Sequence, residues 1–310
     1  MRGDAKVYHI EVDGEVRQFA PRGKLFENLG QKKNPVAVGD RVGVSLDGDP
    51  PGVEKVLERR NYLPRIASSH DPREQILFAN VDQLFVIASV VKPTFSSNRT
   101  DRILAACEYY EIPAYVVLNK VDLDQDGQAK AIRETYEAAG VPVLEMCATE
   151  GQGIEALAEL LPEKISVFYG ASGAGKSTIL NSIQPGLKLR TGKISRFWDQ
   201  GKHTTTFSQM HVLEKLGGRV IDTPGIRVFR LAGINKAELR DLFPEMRPFQ
   251  ERCRFPDCAH DHEPECAVFD ALEDGKLAPT RYASYVEILD ELAPPPLDDS
   301  PVPPPNEPLA

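Results

Sequence analysis

Nine residues, Gly170-Ala171-Ser172-Gly173-Ala174-Gly175-Lys176-Ser177-Thr178, have the make-up of a phosphate cradle. The first eight fit the spacing G-x-x-x-x-G-K-[ST], whose glycines let backbone N–H groups curl around a β-phosphate. Lys176 would place a point charge on the β/γ oxygens, and the Ser177 hydroxyl can ligate Mg²⁺. A strand-like run, KISVFYG, precedes the motif and a helical pattern follows it, so a helix N-terminus would also face the anion. These residues predict a nucleoside triphosphatase without choosing the base.

Asn119-Lys120-Val121-Asp122 makes that choice. It ends an apolar run, and the two oxygens of Asp122 can accept from guanine N1–H and the N2 amino group, donors that adenine lacks there. Lys120 would lie along the base and Asn119 would brace the loop. A site built on paired hydrogen bonds rejects a wrong partner by roughly 10⁴ or more, because its buried polar groups are left unpaired. Cys147-Ala148-Thr149 follows the next apolar run and would bring the Ala148 N–H to guanine O6.

Asp222-Thr223-Pro224-Gly225 has the form DxxG, in which the Asp holds Mg²⁺ through water and the Gly N–H senses a γ-phosphate. Before it lies Gly201-Lys202-His203-Thr204-Thr205-Thr206, a candidate first switch. One threonine should reach Mg²⁺ with GTP bound; Thr205 is favoured, and Thr204 and Thr206 stay open. Where a Gln usually orients the attacking water the chain has Ile226, which cannot hydrogen-bond to water. Turnover is then slow or another group serves. His203 is the nearest in sequence, and a solvent-facing histidine fits these grounds equally.

Cys253-x4-Cys258-x-His260-x5-Cys266 offers three thiolates and one imidazole, a set suited to tetrahedral Zn²⁺ with no open position and so to a structural role. Such a site supplies about 10–16 kcal/mol of apparent binding energy, enough to fold a small helical module. His262 is the rival to His260 as the fourth ligand. Cys107 falls on the apolar side of its helix and reads as core.

The elements that must position these groups are legible as patterns. Runs VYHIEV, EVRQFA, RVGVSL and GVEKVL alternate apolar and polar residues between turns such as Asp13-Gly14 and Asp47-Gly48, which suits a five-stranded OB-type barrel or a plain β-meander. Arg59 to Arg65 reads as a basic linker. From about Asn80 apolar strands alternate with helices at 99–110, 128–139, 153–160 and 176–183, and six strands in all make a doubly wound α/β sheet. A helical, Cys/His-rich part follows. The resulting domains are 1–62 (OB-type, RNA-binding), 63–232 (nucleotide-binding), 233–292 (helical, zinc-binding) and 293–310, a disordered tail with eight prolines.

The base-reading motif thus precedes the P-loop, the reverse of the order in Ras-like GTPases, so the fold is circularly permuted. The chain leaves the nucleotide domain straight from the second switch, at Gly225 to Arg230, and a γ-phosphate-dependent movement there would pull on the C-terminal domain. No apolar run approaches the ~20 residues of a membrane span, and MRGDAKVYHIEVDGE lacks a signal peptide's blocks, so the reading is cytosolic. A net charge of −9 argues against a generally basic nucleic-acid binder. The five acidic residues from Asp290 onward carry part of it, while residues 1–60 hold eleven Lys/Arg against ten Asp/Glu, so any RNA contact must come from local patches.

Taken together, the permuted motifs, the GKHTTT run, the C-x4-C-x-H-x5-C cluster and the following RYASYVEIL resemble the ribosome small-subunit-dependent GTPase A family (RsgA, also called YjeQ) over nearly the whole chain. The resemblance implies an assembly factor that binds the 30S subunit late in maturation, is activated by it and helps release other factors. It also implies contact of the OB and zinc domains with 16S rRNA, a catalytic role for His203, Mg²⁺ with GTP/GDP, one structural Zn²⁺, and a monomer with no membrane partner. GTP turnover with and without small subunits separates such an enzyme from a nucleotide-gated binding module.

Overall fold

The computed structural model describes residues 7–27, 30, 32–48, 51–68, 71–187, 189, 208–223 and 229–292. The run 201–206, with His203 and Thr205, lies outside them, as do Gly225, Ile226 and the tail 293–310.

The four alternating runs near the N-terminus each form a strand: β1 (Tyr8–Val12), β2 (Glu15–Pro21), β3 (Val42–Ser45) and β4 (Gly52–Val56), with one helical turn, α1 (Lys24–Glu27), after β2. β1 and β2 turn through Asp13 and Gly14, both at positive φ (52° and 81°), as a two-residue hairpin requires. The order is β1-β2-β4-β3, with β2 parallel to β4, and the sheet curls into a half-barrel over fully buried Phe19 and Val53. Four strands, rather than the expected five, make up this sheet among the described residues. The chain instead enters a separate hairpin, β5 (Tyr62–Ser68) and β6 (Asp71–Ala79).

The basic stretch read as a linker is therefore structured. Arg59 donates to the buried Asp40 carboxylate at 2.7 and 2.8 Å, and Arg60 reaches Asp82 at 2.7 Å. Pro64 enters β5 at a register shift against β6, where no ladder N–H is required of it.

Next come β7 (Gln83–Ser89), α2 (Ser97–Tyr109), β8 (Ala114–Asn119), α3 (Gln128–Ala138), β9 (Val143–Met146), α4 (Ile154–Ala158), β10 (Ile165–Tyr169), α5 (Lys176–Ile183), β11 (Gln209–Leu213) and β12 (Gly218–Asp222). They form the expected six-stranded sheet in the order β11-β12-β10-β7-β8-β9, parallel except for β11. Side chains alternate across it: Leu84 and Val86 join Ile103 of α2 in one core, and Phe85 and Ile87 join Ile179 of α5 in the other. Ser96 caps α2 by accepting the Arg99 N–H at 3.4 Å, an interaction worth about 1 kcal/mol.

The C-terminal part holds α6 (Lys236–Leu239), α7 (Arg247–Gln250), α8 (Ala267–Glu273) and α9 (Pro279–Glu291). Its apolar residues Phe243, Met246, Val268, Tyr285 and Ile288 continue the α2-side core. α9 lies along α2, and its Arg281, 2% exposed, donates to Asp101 of α2 at 2.6 Å and to Glu245 at 2.7 and 3.1 Å. Among the described residues no helix is long and apolar enough to cross a membrane.

Candidate nucleotide and metal sites

The parallel strands deliver their C-terminal ends to one edge of the sheet, where ligands of doubly wound folds bind. β10 runs into 170–175, β12 ends at Asp222, β8 at Asn119, and β9 leads into Cys147 and Ala148. Residues spread over more than a hundred positions so meet around a single loop.

That loop needs its glycines. Gly173 and Gly175 have φ of +82° and +109°, and a Cβ on Gly170 would fall 2.1 Å from the Ile87 carbonyl oxygen. A Cβ on Gly175 would fall 2.1 Å from Asn119 Nδ2. Asn119 braces the loop as expected: Nδ2 donates to Ala174 O at 2.8 Å, while Oδ1 accepts the Ala148 N–H at 3.2 Å. The Ala148 N–H assigned to guanine O6 is thus turned toward Asn119. Lys120 stands at φ +64° and donates to Gly173 O at 2.6 Å and to Lys92 O, bonding the base-reading loop to the P-loop. Val121 and Asp122 open a short 3-10 turn with the Asp122 carboxylate exposed. Asp124 fixes the far side by accepting from Gln128 and Ala129 at 3.0 and 2.7 Å, and these N–H bonds hold its carboxyl below the ordinary range.

Lys176 opens α5 and is 8% exposed, its ammonium donating to Gly170 O at 2.7 Å and Ala171 O at 3.3 Å. Burial pushes its pKa down and the Asp222 carboxylate opposes this. Asp222 is pushed up by burial, with Lys176 and His211 pulling it back. Its buried Oδ1 has no hydrogen-bond partner among the described residues. An orphaned carboxylate oxygen beside an ammonium and the Ser177 hydroxyl in the first turn of α5 fits a hydrated divalent cation. Ser177 and Thr178 are half-buried and Ser172 exposed, while Ala171 and Ala174 complete the loop.

The second cluster lies in the C-terminal part. The ligand atoms of Cys253, Cys258, His260 and Cys266 all lie within 4.8 Å of one another. Cys253 Sγ is 4.0 Å from Cys266 Sγ, and His260 Nδ1 is 3.6 and 3.4 Å from those two sulfurs. Tetrahedral zinc with Zn–S of about 2.3 Å and Zn–N of about 2.0 Å requires roughly 3.8 Å between sulfurs and roughly 3.5 Å from sulfur to nitrogen. The donor set and spacing therefore fit zinc, through Nδ1 of His260. His262 is exposed, bonded to Asp261, and outside the cluster. Burial pushes the Cys258 thiol up to about 12, so binding a metal as thiolate must release protons.

Sequence reasoning missed what holds this loop. His260 sits at φ +58°, and the Glu263 carboxylate accepts the flanking N–H groups of Ala259, Asp261 and His262 at 2.6, 3.0 and 3.2 Å. Tyr282 and Tyr285 of α9 donate to the carbonyls of His260 and Ala259 at 2.9 and 2.5 Å. An acid among metal ligands reads as a rival ligand, so only geometry reveals Glu263 as a brace.

A P-loop read together with a base-selecting loop, on a sheet whose strands are permuted along the chain and followed by a Cys3His module, defines a circularly permuted GTPase. The model of the RsgA GTPase family matches residues 56–232. A relative from Chlorobaculum tepidum, named Small ribosomal subunit biogenesis GTPase RsgA, is 41% identical over 297 residues, 92% of this chain and 94% of its own length. One of the same name from Bordetella pertussis is 41% identical over 290 residues, covering 92% and 93%. Among solved structures, YjeQ from Thermotoga maritima is 36% identical with a TM-score of 0.70, covering 92% of this chain and 93% of its own. YloQ, described as a circularly permuted GTPase, is 29% identical with a TM-score of 0.66, covering 94% and 92%. The chain belongs to the RsgA GTPase family and hydrolyses GTP.

Proposed function

We propose that this chain is a cytoplasmic, monomeric GTPase of small ribosomal subunit biogenesis. It binds the 30S subunit late in maturation, is accelerated by it, and couples hydrolysis to release of other assembly factors. The observation that carries the nucleotide half is the convergence of Asn119, Lys120, Ala148, the 170–175 loop, Lys176 and Asp222 at one sheet edge. The relatives' printed names supply the ribosomal half.

In this reading Asp122 selects guanine, and the N–H groups of 170–176 hold the β-phosphate. Lys176 leaves its loop carbonyls for the β/γ oxygens. Ser177, Thr205 and Asp222 would hold Mg²⁺, which when bound neutralises charge developing on the phosphates. Gly225 senses the γ-phosphate and His203 positions the attacking water. Residues 1–62 and the zinc-bearing module 233–292 contact 16S rRNA. GTP turnover measured with 30S subunits, with 50S subunits and with neither tests this: strong acceleration by 30S alone is expected. Equal turnover in all three would remove the ribosomal half of the proposal.

A further inference from the structure

The segment leaving β12 toward the C-terminal module is fastened on two sides before it gets there. On one, the Ile66 N–H of β5 donates to Arg230 O at 3.2 Å. On the other, the Tyr110 phenol at the end of α2 donates to Ala232 O at 2.9 Å. Gly233 follows at φ +73°, pressed so closely on α2 that an added Cβ would fall 2.7 Å from the Tyr110 oxygen. A displacement arriving at Arg230 meets an anchor at Ala232; its backbone outlet is sideways into β5, and the Arg230 guanidinium touches α9 only through a long, half-exposed ion pair with Glu291 at 3.9 Å.

The opposite edge of that hairpin grips the N-terminal unit. Lys33 N–H donates to Glu74 O at 2.7 Å and Ala79 N–H to Val38 O at 2.9 Å. The Asn34 side chain spans both the C=O and the N–H of Ile76 at 3.0 Å. A Cβ on Gly39 would fall 2.0 Å from Ala79 O, so the two backbones are in direct contact. Hydrogen bonds thus run across four extended segments: the chain at Arg230, β5, β6 and residues 32–38.

The C-terminal module is attached in another manner. Buried Arg281 joins Asp101 and Glu245 under the rings of Tyr136 and Phe243, and Asn98 and Arg102 of α2 bond Glu287 and Glu291 of α9. A guanidinium held by two buried carboxylates cannot slide without stranding a charge, so α9 moves with α2.

We propose that the nucleotide state is read out at the N-terminal half-barrel through the β5–β6 hairpin, with the C-terminal module staying fixed to the GTPase sheet. This rests on the guanine-nucleotide reading of the Asp222 edge and reverses the sequence-based expectation of a pull on the C-terminal domain. Spin labels on the full-length, zinc-loaded chain test it, one pair at Lys55 and Glu134 and a second at Glu273 and Glu134. On replacing GDP by a non-hydrolysable GTP analogue, the first distance distribution should shift and the second should not.

Ile66→Pro, which deletes the N–H bonded to Arg230, should abolish the first shift while leaving nucleotide affinity within about twofold. Tyr110→Phe, which releases Ala232 and lets the displacement dissipate before it reaches β5, should shrink the first shift while the second pair stays still, and serves if the proline variant does not fold. Both samples are titrated with a fluorescent guanine nucleotide. A shift confined to the Glu273 pair, or no shift at nucleotide saturation, overturns the proposal with the GTP reading intact. Absence of nucleotide binding overturns that reading as well.

Discussion

At the scale of the residue, the proposed function leaves the choice of base to Asp122. Asp122→Asn exchanges an acceptor for a donor against the guanine amino group. Two hydrogen bonds to a charged group are worth about 3–6 kcal/mol together, so GTP affinity should fall by roughly 10² or more. Xanthosine triphosphate, with a carbonyl in place of the amino group, should regain it; competition binding with both nucleotides checks this. Lys176 and His203 divide differently. Lys176→Ala removes a buried cation 2.7 Å from Gly170 O and should damage affinity and turnover together. His203→Ala should leave affinity nearly intact while removing most subunit-stimulated turnover, because water positioning acts only in the transition state. Steady-state kinetics with 30S subunits separate the two, and wild-type turnover by His203→Ala would dismiss that assignment.

Among elements, the Cys3His loop depends on a carboxylate that is not a ligand. Glu263→Gln keeps the shape but weakens three backbone bonds around His260, and bracing groups of this kind are worth roughly 10–100-fold in metal affinity. Zinc release to a competing chelator should accelerate about tenfold or more, read with a chromophoric indicator. The N–H donors hold the Glu263 carboxyl down at about 2, against a partial burial cost. Its folded pKa is depressed, so its contribution is complete above about pH 4.5 and fades only as pH falls through 2. Metal loss at pH 5 would therefore report thiolate protonation. The same scale explains what could be read in advance. β7, β8 and β10 are buried on both faces and so form continuous apolar runs, and residues 170–177 declare their chemistry in eight letters. β5 was illegible because Pro64 and Arg65 break its alternation, and the outer half of β6, Asp71 to Gln75, is polar. The Arg281–Asp101 pair spans 180 positions, beyond any local pattern.

At the scale of the whole molecule, that pair ties the C-terminal module to the GTPase sheet. Arg281→Met leaves Asp101 and Glu245 buried without their cation, a change that costs about 3–5 kcal/mol. The urea midpoint should fall accordingly. Burial already pushes the Asp101 carboxyl up, and Arg281 opposes it. Without the arginine the folded pKa rises further above the unfolded value, so stability is kept where Asp101 is protonated and lost as pH rises through its folded pKa. Unfolding of the variant should accordingly show a smaller deficit at pH 5 than at pH 8, and an equal deficit would mean that Asp101 finds another partner. The strand order has a consequence for manufacture. β7 is bracketed by β8 and β10, with Ser166 pairing Gln83. During synthesis β8 can pair with β7 and β9 then with β8, but the other edge of β7 waits about 80 residues for β10, roughly 4–16 s at 5–20 residues per second. Throughout that interval the nascent chain carries a naked apolar sheet edge, open to mispairing. Nor can nucleotide help, since the phosphate cradle and the Asp222 carboxylate have yet to leave the exit tunnel. Permutation thus places the burden of early folding on the base-reading half alone.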